Sequence, residues 1–219
     1  MKPTVRRVLL VIAAVVFLAG VAYAINMGFK IVYQMDTQPQ SEGGWNTIAL
    51  PYTPKDGLVD AKDLIDNINE QAGSNVVVQI ARWLPDAAVW SGYTGTSGVA
   101  FPLQPGEGYM VQLTSEVDYR IVGSHDPNVT IALLDLEEAS GYSCVSLPYH
   151  AVATDAKELI DEINAQAGAN VVVQVARYIR SAGGWASYTG TSGVAFPLER
   201  GKAYMVHVTD TTYYRPEHY

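Results

Sequence analysis

The sequence contains a single cysteine, and this scarcity excludes several classes of structure and chemistry. Among 219 residues only Cys144 carries a thiol. The chain therefore forms no intrachain disulfide and no cysteine-rich zinc, iron–sulfur or haem-attachment site. Because Cys144 stands in the apolar run Tyr-Ser-Cys-Val-Ser-Leu-Pro, we expect it to be a buried packing residue.

Basic residues are also few. The chain has 14 Lys and Arg against 22 Asp and Glu, which gives a formal net charge of −8. Proteins that bind nucleic acid neutralise phosphates with a basic surface, and this composition does not supply one. We therefore expect no nucleic-acid partner.

Motifs for catalysis or cofactor binding are lacking as well. The four histidines have no metal-ligand spacing, and no glycine-rich segment has a phosphate-binding pattern. Ser97 and Ser192 lie in a repeated Gly-Thr-Ser-Gly loop, which favours a turn over a nucleophile because no histidine recurs with them. Asp135, Glu137 and Glu138 are more typical of a solvated linker than of a calcium loop. We expect no enzyme activity, no cofactor and no metal.

What the chain does contain is one module present twice. Asp60–Thr114 aligns without a gap onto Asp155–Thr209, and 36 of the 55 aligned positions are identical. A functional site in such a chain is present twice, lies between the copies, or uses residues at which the copies differ.

The one long apolar run lies at the N-terminus. Val8–Phe29 has 22 residues without a charge, and Lys2, Arg6 and Arg7 precede it. Its length favours a retained transmembrane helix within residues 1–29; a signal peptide cleaved after Ala24 is the alternative. The anchoring side chains would include Val8, Leu9, Leu10, Val15, Val16, Phe17, Leu18 and Phe29.

The flanking charges predict the orientation of this anchor. By the positive-inside rule the N-terminus is cytoplasmic and the bulk of the chain is periplasmic, at a bacterial inner membrane whose lipid surrounds the helix. Residues 30–44 are expected to be a linker. Because 29–35 alternates between apolar and polar residues, this segment could instead begin the first sheet.

The repeats themselves predict a helix and several strands each. Asp60 and Asp155 are expected N-caps, and Gly73 and Gly168 follow the helix ends. The run Val76–Val78 predicts a strand buried on both faces. The predicted fold class is α+β, with the N-terminal transmembrane helix followed by two tandem β-rich modules, each with one helix packed on a small, mainly antiparallel sheet. The modules cover residues 45–126 and 142–219, joined by 127–141.

Several motifs in these modules resemble a known repeat. They are Leu-Pro-Tyr at the end of the first strand, Phe-x-Leu-x-Pro-Gly-x-Gly-Tyr-x-Val, and Val-Gly-Ser-His-Asp. Together they look like an uncharacterised bacterial extracellular repeat that occurs as tandem modules in exported proteins. The resemblance implies export and a noncatalytic architecture, and it supplies no catalytic residues.

Aromatic residues and two arginines suggest possible ligand-binding roles. Sugar stacking is one role for Trp45, Trp83, Trp90, Tyr93, Tyr142, Tyr178, Trp185 and Tyr188, although large rings at strand positions commonly build cores. Arg82 and Arg177 occupy equal positions and could grip a ligand. We expect them instead to stack on neighbouring rings such as Trp90 and Trp185.

The function predicted from these features is that of an accessory subunit. The chain is expected to stabilise a larger membrane protein complex, such as a photosynthetic or respiratory assembly, through contacts with its other subunits. The alternative is an exported, cell-surface pair of glycan-binding modules. The predicted partner contacts are Pro54, Lys55, Leu84, Pro85, Asp86, Ile179, Arg180, Tyr213, Tyr214, His218 and Tyr219.

Overall fold

Antiparallel strands make up most of the protein, together with two α-helices. The computed structural model describes residues 29–37, 44–50, 53–54, 57–124, 128–136, 140–148 and 151–217. The first copy contains β1 (Phe29–Met35), β2 (Trp45–Ala49), β3 (Thr53–Pro54), α1 (Ala61–Ala72), β4 (Val77–Leu84), β5 (Val89–Tyr93), β6 (Gly108–Leu113) and β7 (Val117–Ser124). The second contains β8 (Ile131–Leu133), β9 (Tyr142–Ser146), α2 (Ala156–Ala167), β10 (Val172–Ile179), β11 (Gly184–Tyr188), β12 (Ala203–Val208) and β13 (Thr212–Tyr214).

Each copy has a four-stranded sheet of the same order and a smaller sheet, which has three strands in the first copy and two in the second. In the first, a four-stranded sheet of order β2-β6-β4-β5 faces a smaller sheet of order β1-β7-β3. In the second, the order is β9-β12-β10-β11, and β13 pairs with β8. The alternating segment 29–35 is therefore a strand, since Phe29–Met35 pairs along its length with β7.

Each copy also has its own core beneath its helix. In the first copy, Leu64 and Ile68 of α1 pack against Ile80, Tyr109 and other buried residues of the sheets. In the second, the equivalent Leu159 and Ile163 of α2 belong to a separate cluster. Burial of these apolar faces supplies most of the stability of such short helices.

The local helix signals in the sequence are confirmed. The Asp60 side chain accepts hydrogen bonds from the amides of Lys62 and Asp63, and the Asp63 side chain accepts one from the Asp60 amide, which completes a capping box. Gly73 ends the helix in the left-handed conformation. In α2 the Asp155 side chain accepts from the amides of Lys157 and Glu158, and Gly168 ends the helix in the left-handed conformation.

The prediction that Val76–Val78 is buried on both faces is wrong. A β-bulge between Val77 and Gln79 shifts the register of β4 against β6 and leaves Val78 39% exposed. A bulge puts two residues opposite one on the neighbouring strand, so the alternation of side chains is interrupted. The same irregularity lies between Val172 and Gln174 in the second copy.

The predicted fold class and membrane location are also wrong. The described part of the chain is mainly β; its two α-helices have 12 residues each, and neither is long and apolar enough to cross a membrane. Phe29, predicted to end the transmembrane helix, is the first residue of β1. The inner-membrane location depended on that helix and is corrected with it. The other predicted anchor residues (Val8, Leu9, Leu10, Val15, Val16, Phe17, Leu18) lie outside the described residues.

The two copies contact each other through equivalent positions. The Ala49 amide at the end of β2 donates to the Gly201 carbonyl at 3.0 Å, and the Ser146 amide at the end of β9 donates to the Gly106 carbonyl at 2.9 Å. Each contact is the counterpart of the other. The copies are therefore related by a pseudo-two-fold axis, with the reciprocal contacts of an isologous dimer.

Small residues allow the four-stranded sheets to approach at this axis. Ala49, Cys144, Ala176, Ala203 and Met205 form a third buried cluster, which joins the two copies. Gly108 lies against this cluster: a methyl group at Gly108 would lie 2.4 Å from the Ala203 Cβ and 2.8 Å from the Cys144 Sγ. We call this cluster, with Gly108, the junction. Cys144 is buried in it, as the sequence predicted.

Candidate functional site

A row of aromatic rings lies at one side of the junction, where the β4–β5 and β10–β11 hairpins meet. Trp83 pairs with Trp90 across the first hairpin, and Tyr178 pairs with Trp185 at the same register of the second. In both pairs the ring centroids are 5.5 Å apart with edge-to-face planes at 65°. Trp90 and Trp185 stack on each other across the axis, 6.3 Å apart and 11° from parallel.

A cleft of about 300 Å³ opens beside this row; we call it the aromatic cleft. Both copies contribute to it, because Trp83 and Trp90 come from the first and the other lining residues from the second. Its walls are Trp83, Trp90, Tyr142, Gln174, Ala176, Trp185, Ser187 and Met205. The rings are half-buried, so each packs on the protein and presents the remainder of its surface to the cleft.

Hydrogen bonds hold the polar wall of the cleft in place. The Trp83 indole N–H donates to the Tyr142 carbonyl at 2.7 Å. The Gln174 amide donates to the Tyr142 hydroxyl, and the Tyr142 ring stacks on His207 with centroids 4.5 Å apart. The Gln174 carbonyl oxygen and the Ser187 hydroxyl remain to meet a ligand, since neither bonds to another group in the described part of the chain. The cleft thus combines aromatic faces with fixed amide and hydroxyl groups.

Other aromatic candidates from the sequence have different surroundings. Tyr93 and Tyr188 are buried, and their hydroxyl groups donate to the carbonyls of Gly95 and Gly190 at 2.9 and 2.8 Å. They hold the Gly-Thr-Ser-Gly loops against the cores. Trp45 is half-buried in β2 and does not line the aromatic cleft.

The loops themselves are turns, as the sequence predicted. The Ser97 amide donates to the Thr94 hydroxyl at 2.9 Å, and the Thr94 amide donates to the Ser97 carbonyl at 3.0 Å. Ser192 and Thr189 repeat both contacts in the second copy. Gly98 has φ +86, and a side chain there would meet the Gly92 carbonyl oxygen.

The equivalent arginines stack on rings other than the expected ones. The Arg82 guanidinium lies 5.1 Å from the centroid of Phe101, and the Arg177 guanidinium lies 4.9 Å from that of Phe196. The sequence indicated the stacking but not these partners. Within the described residues, the Nε atoms of both arginines are buried without a hydrogen-bond partner.

Acidic groups do not converge in this region. Among the described residues, no group of three or more His, Cys, Asp and Glu side chains is placed to hold a metal ion. Asp135 is described, and its amide donates to the Thr211 hydroxyl at 3.0 Å. Glu137 and Glu138 lie outside the described residues.

The predicted partner contacts are scattered over the surface and the interior. Tyr213 is 68% exposed, whereas its neighbour Tyr214 is buried in the core of the second copy. Arg180 forms an ion pair with Asp36 of the first copy at 3.0 Å. Leu84, Pro85 and Ile179 are half-buried near the hairpin turns, Asp86 is exposed, and Pro54 lies in β3. Lys55, His218 and Tyr219 lie outside the described residues.

Sequence reasoning missed Gln174, Ser187 and Met205 as residues of the cleft. The period-two alternation along β10 was the available signal, because it places Gln174 and Ala176 on one face of the sheet with Tyr178. That face was assigned to no site, since the sequence did not show that the two copies meet there.

Comparison with known proteins gives no relative for this chain: no protein-family model, no curated protein and no solved structure matches it.

Proposed function

We propose that the protein is a noncatalytic binding protein whose two copies together bind a carbohydrate chain in the aromatic cleft. The observation that carries this proposal is the set of rings that line the cleft, Trp83, Trp90, Trp185 and Tyr142, together with the polar groups of Gln174 and Ser187. It develops the glycan-binding alternative that the aromatic content of the sequence suggested.

The chemistry of the cleft fits a sugar better than a fully apolar ligand. A pyranose has an apolar C–H face, which packs on an aromatic ring, and a rim of hydroxyl groups, which need hydrogen-bond partners. Trp90 and Trp185 supply the rings, and Gln174 and Ser187 supply the polar groups. A volume of about 300 Å³ is at the small end of ligand sites, so a short saccharide segment fits.

A substitution that fills the cleft with a larger side chain, and removes none of the existing packing contacts, tests this proposal. Ser187 is exposed on the edge strand β11 and lines the cleft, so Ser187→Phe should block it. Its neighbour Ala186 is also exposed but pairs with Arg177, on the opposite face of the sheet, so Ala186→Phe is the matched control.

Binding should be measured by calorimetry and by tryptophan fluorescence with a panel of neutral and acidic oligosaccharides. We expect at least one oligosaccharide to bind, with affinity reduced about tenfold or more by Ser187→Phe and unchanged by Ala186→Phe. Absence of binding to the whole panel, or equal binding by both variants, would overturn the proposal.

A second candidate function is the accessory role in a protein assembly that the sequence suggested. Tyr213 favours it, because a large aromatic side chain that is 68% exposed on the short strand β13 is a typical interface anchor. Native electrophoresis of extracts from the source cells should then show the protein migrating with partners, which Tyr213→Ser would release. Migration as a free monomer would contradict this role.

A further inference from the structure

A second cleft, of about 330 Å³, lies mainly in the second copy, where β10 ends and β12 begins, with Thr47 of the first copy in its wall. We call it the basic cleft. Arg177, Arg180 and Lys202 line it together with the hydroxyl-bearing residues Thr47 and Ser181. None of its lining residues belongs to the aromatic cleft.

The equivalent position in the first copy is occupied by the protein's own carboxylate. Glu107 lies near Arg82, and the Tyr109 hydroxyl donates to a Glu107 carboxylate oxygen at 2.8 Å. Burial raises the pKa of Glu107, while the Tyr109 hydrogen bond and the Arg82 charge act against that rise. The first copy thus supplies an anion to its own arginine and tyrosine.

The second copy has the arginine and the tyrosine but no carboxylate at the position of Glu107. At the alignment offset of 95, Glu107 corresponds to Lys202, and Pro85 corresponds to Arg180. Two cations have therefore replaced a carboxylate and a neutral residue. The hydroxyl of Tyr204, the counterpart of Tyr109, donates to the Glu199 backbone carbonyl at 3.3 Å.

The cations of the basic cleft are incompletely compensated. Asp36 pairs with Arg180 at 3.0 Å, and the exposed Glu199 lies at the rim. Three cations and two carboxylates leave a net charge of +1 in a chain whose net charge is −8. Burial, then the Arg180 charge, lower the pKa of Lys202.

We propose that the basic cleft binds a compact oxyanion, the carboxylate or phosphate group of a small ligand. The ligand group takes the role that the Glu107 carboxylate has in the first copy, with Arg177, Arg180 and Lys202 as its charged partners. Charge-assisted hydrogen bonds from guanidinium and ammonium groups to such oxygens are among the stronger polar contacts in proteins. The inference is independent of carbohydrate binding in the aromatic cleft.

Titration of the whole chain with inorganic phosphate and, separately, with glucuronate tests this inference. Calorimetry in a buffer without other oxyanions measures the affinity of the wild type, Lys202→Glu and Lys202→Gln. Lys202→Glu restores the residue of the first copy. The control is Lys62→Glu, which changes the net charge equally on the exposed face of α1.

We expect Lys202→Glu to weaken binding about tenfold or more and Lys202→Gln to weaken it less, while Lys62→Glu leaves it unchanged. Binding of phosphate, of glucuronate or of both supports the site and identifies the oxyanion. Circular dichroism verifies that each variant is folded, and Lys202→Gln, which keeps a long polar side chain, decides the matter if Lys202→Glu does not fold.

Two results would overturn the proposal. One is an absence of heat with either oxyanion up to about 10 mM, a concentration that would reveal even millimolar affinity. The other is equal weakening by Lys202→Glu and Lys62→Glu, which would show a response to overall charge rather than to this cleft.

Discussion

At the scale of single residues, the two copies act as controls for each other. The turn between β4 and β5 contains Ala88 with φ 52, while the equivalent residue of the second copy is Gly183 with φ 61. Both turns place this residue in the left-handed region, but only the second has glycine, the residue suited to it. Ala88 is therefore a position at which the first copy carries strain.

We predict that Ala88→Gly stabilises the protein by about 0.5–1 kcal/mol, because relief of the left-handed strain exceeds the entropy that glycine adds to the unfolded chain. Urea unfolding measures the difference. The control is Ala87→Gly, one residue earlier, where φ is not positive and glycine should destabilise. Equal effects of the two substitutions would contradict the prediction.

Glu107 gives a prediction about pH. Burial raises the pKa of this carboxyl above its ordinary value of 4.5, so the folded protein holds the proton more tightly than the unfolded chain does. Between pH 4.5 and the raised pKa the folded state binds more protons, so the free energy of unfolding falls as pH rises through that window. Above it the loss is complete.

Glu107→Gln should lack this part of the pH dependence and keep an acceptor for the Tyr109 hydroxyl. Urea unfolding at a series of pH values from 4 to 8 measures it. Glu162, whose pKa is also raised by burial, provides the comparison: its own contribution should persist in Glu107→Gln and disappear in Glu162→Gln. Identical pH profiles for wild type and Glu107→Gln would refute the prediction.

At the scale of elements, one amide connects each helix to the following strand. The Asn69 side-chain oxygen accepts hydrogen bonds from the Val76 and Val77 amides at 2.8 and 3.0 Å. Asn164 does the same for Val171 and Val172 in the second copy. These bonds fix where the strand starts relative to the end of the helix.

We predict that Asn69→Ala destabilises the protein by about 1–3 kcal/mol, since two partly buried amides lose their acceptor and the better helix propensity of alanine offsets only part of that loss. Asn67→Ala, in the same helix, is the matched control, because Asn67 bonds only to the exposed Gln71 side chain in the described residues. Thermal unfolding compares them; equal stability of the two variants would contradict the prediction.

The elements also show which features the sequence could predict. Helix α1 was predictable because Asp60, Gly73 and the apolar spacing act within a few residues of one another. The bulge after Val77 was not, because it depends on register against β6, more than 30 residues away. The partners of the arginines were missed for the same reason, since Phe101 is brought to Arg82 by the tertiary fold.

At the scale of the whole molecule, the junction brings the two copies together, and little in the sequence indicates it. Its residues are mostly alanine and glycine, which have no distinctive pattern, and only the packing of the two sheets shows their role. The sequence therefore identified the aromatic residues but did not predict that the two copies bring them together in one cleft. Phe29, which the sequence predicted as the last residue of the transmembrane helix, is instead the first residue of strand β1.

We predict that Gly108→Ala weakens the junction and destabilises the protein by about 1–3 kcal/mol, because the added methyl meets Ala203 and Cys144. Gly184→Ala is the control, since the nearest atom to its methyl would be 3.9 Å away. The double variant Gly108→Ala with Ala203→Gly should recover part of the loss. Calorimetric unfolding measures all three, and a Gly108→Ala protein as stable as Gly184→Ala would refute the role of close packing here.

The two halves related by the pseudo-two-fold axis can carry different residues at equivalent positions. In a dimer of identical chains every substitution appears on both sides of the axis, so a carboxylate and an ammonium group could not occupy equivalent places. Here one polypeptide contains both halves, and Glu107 in the first half occupies the position that Lys202 occupies in the second. Covalent linkage keeps the geometry of a symmetric pair while allowing its two sides to carry opposite charge.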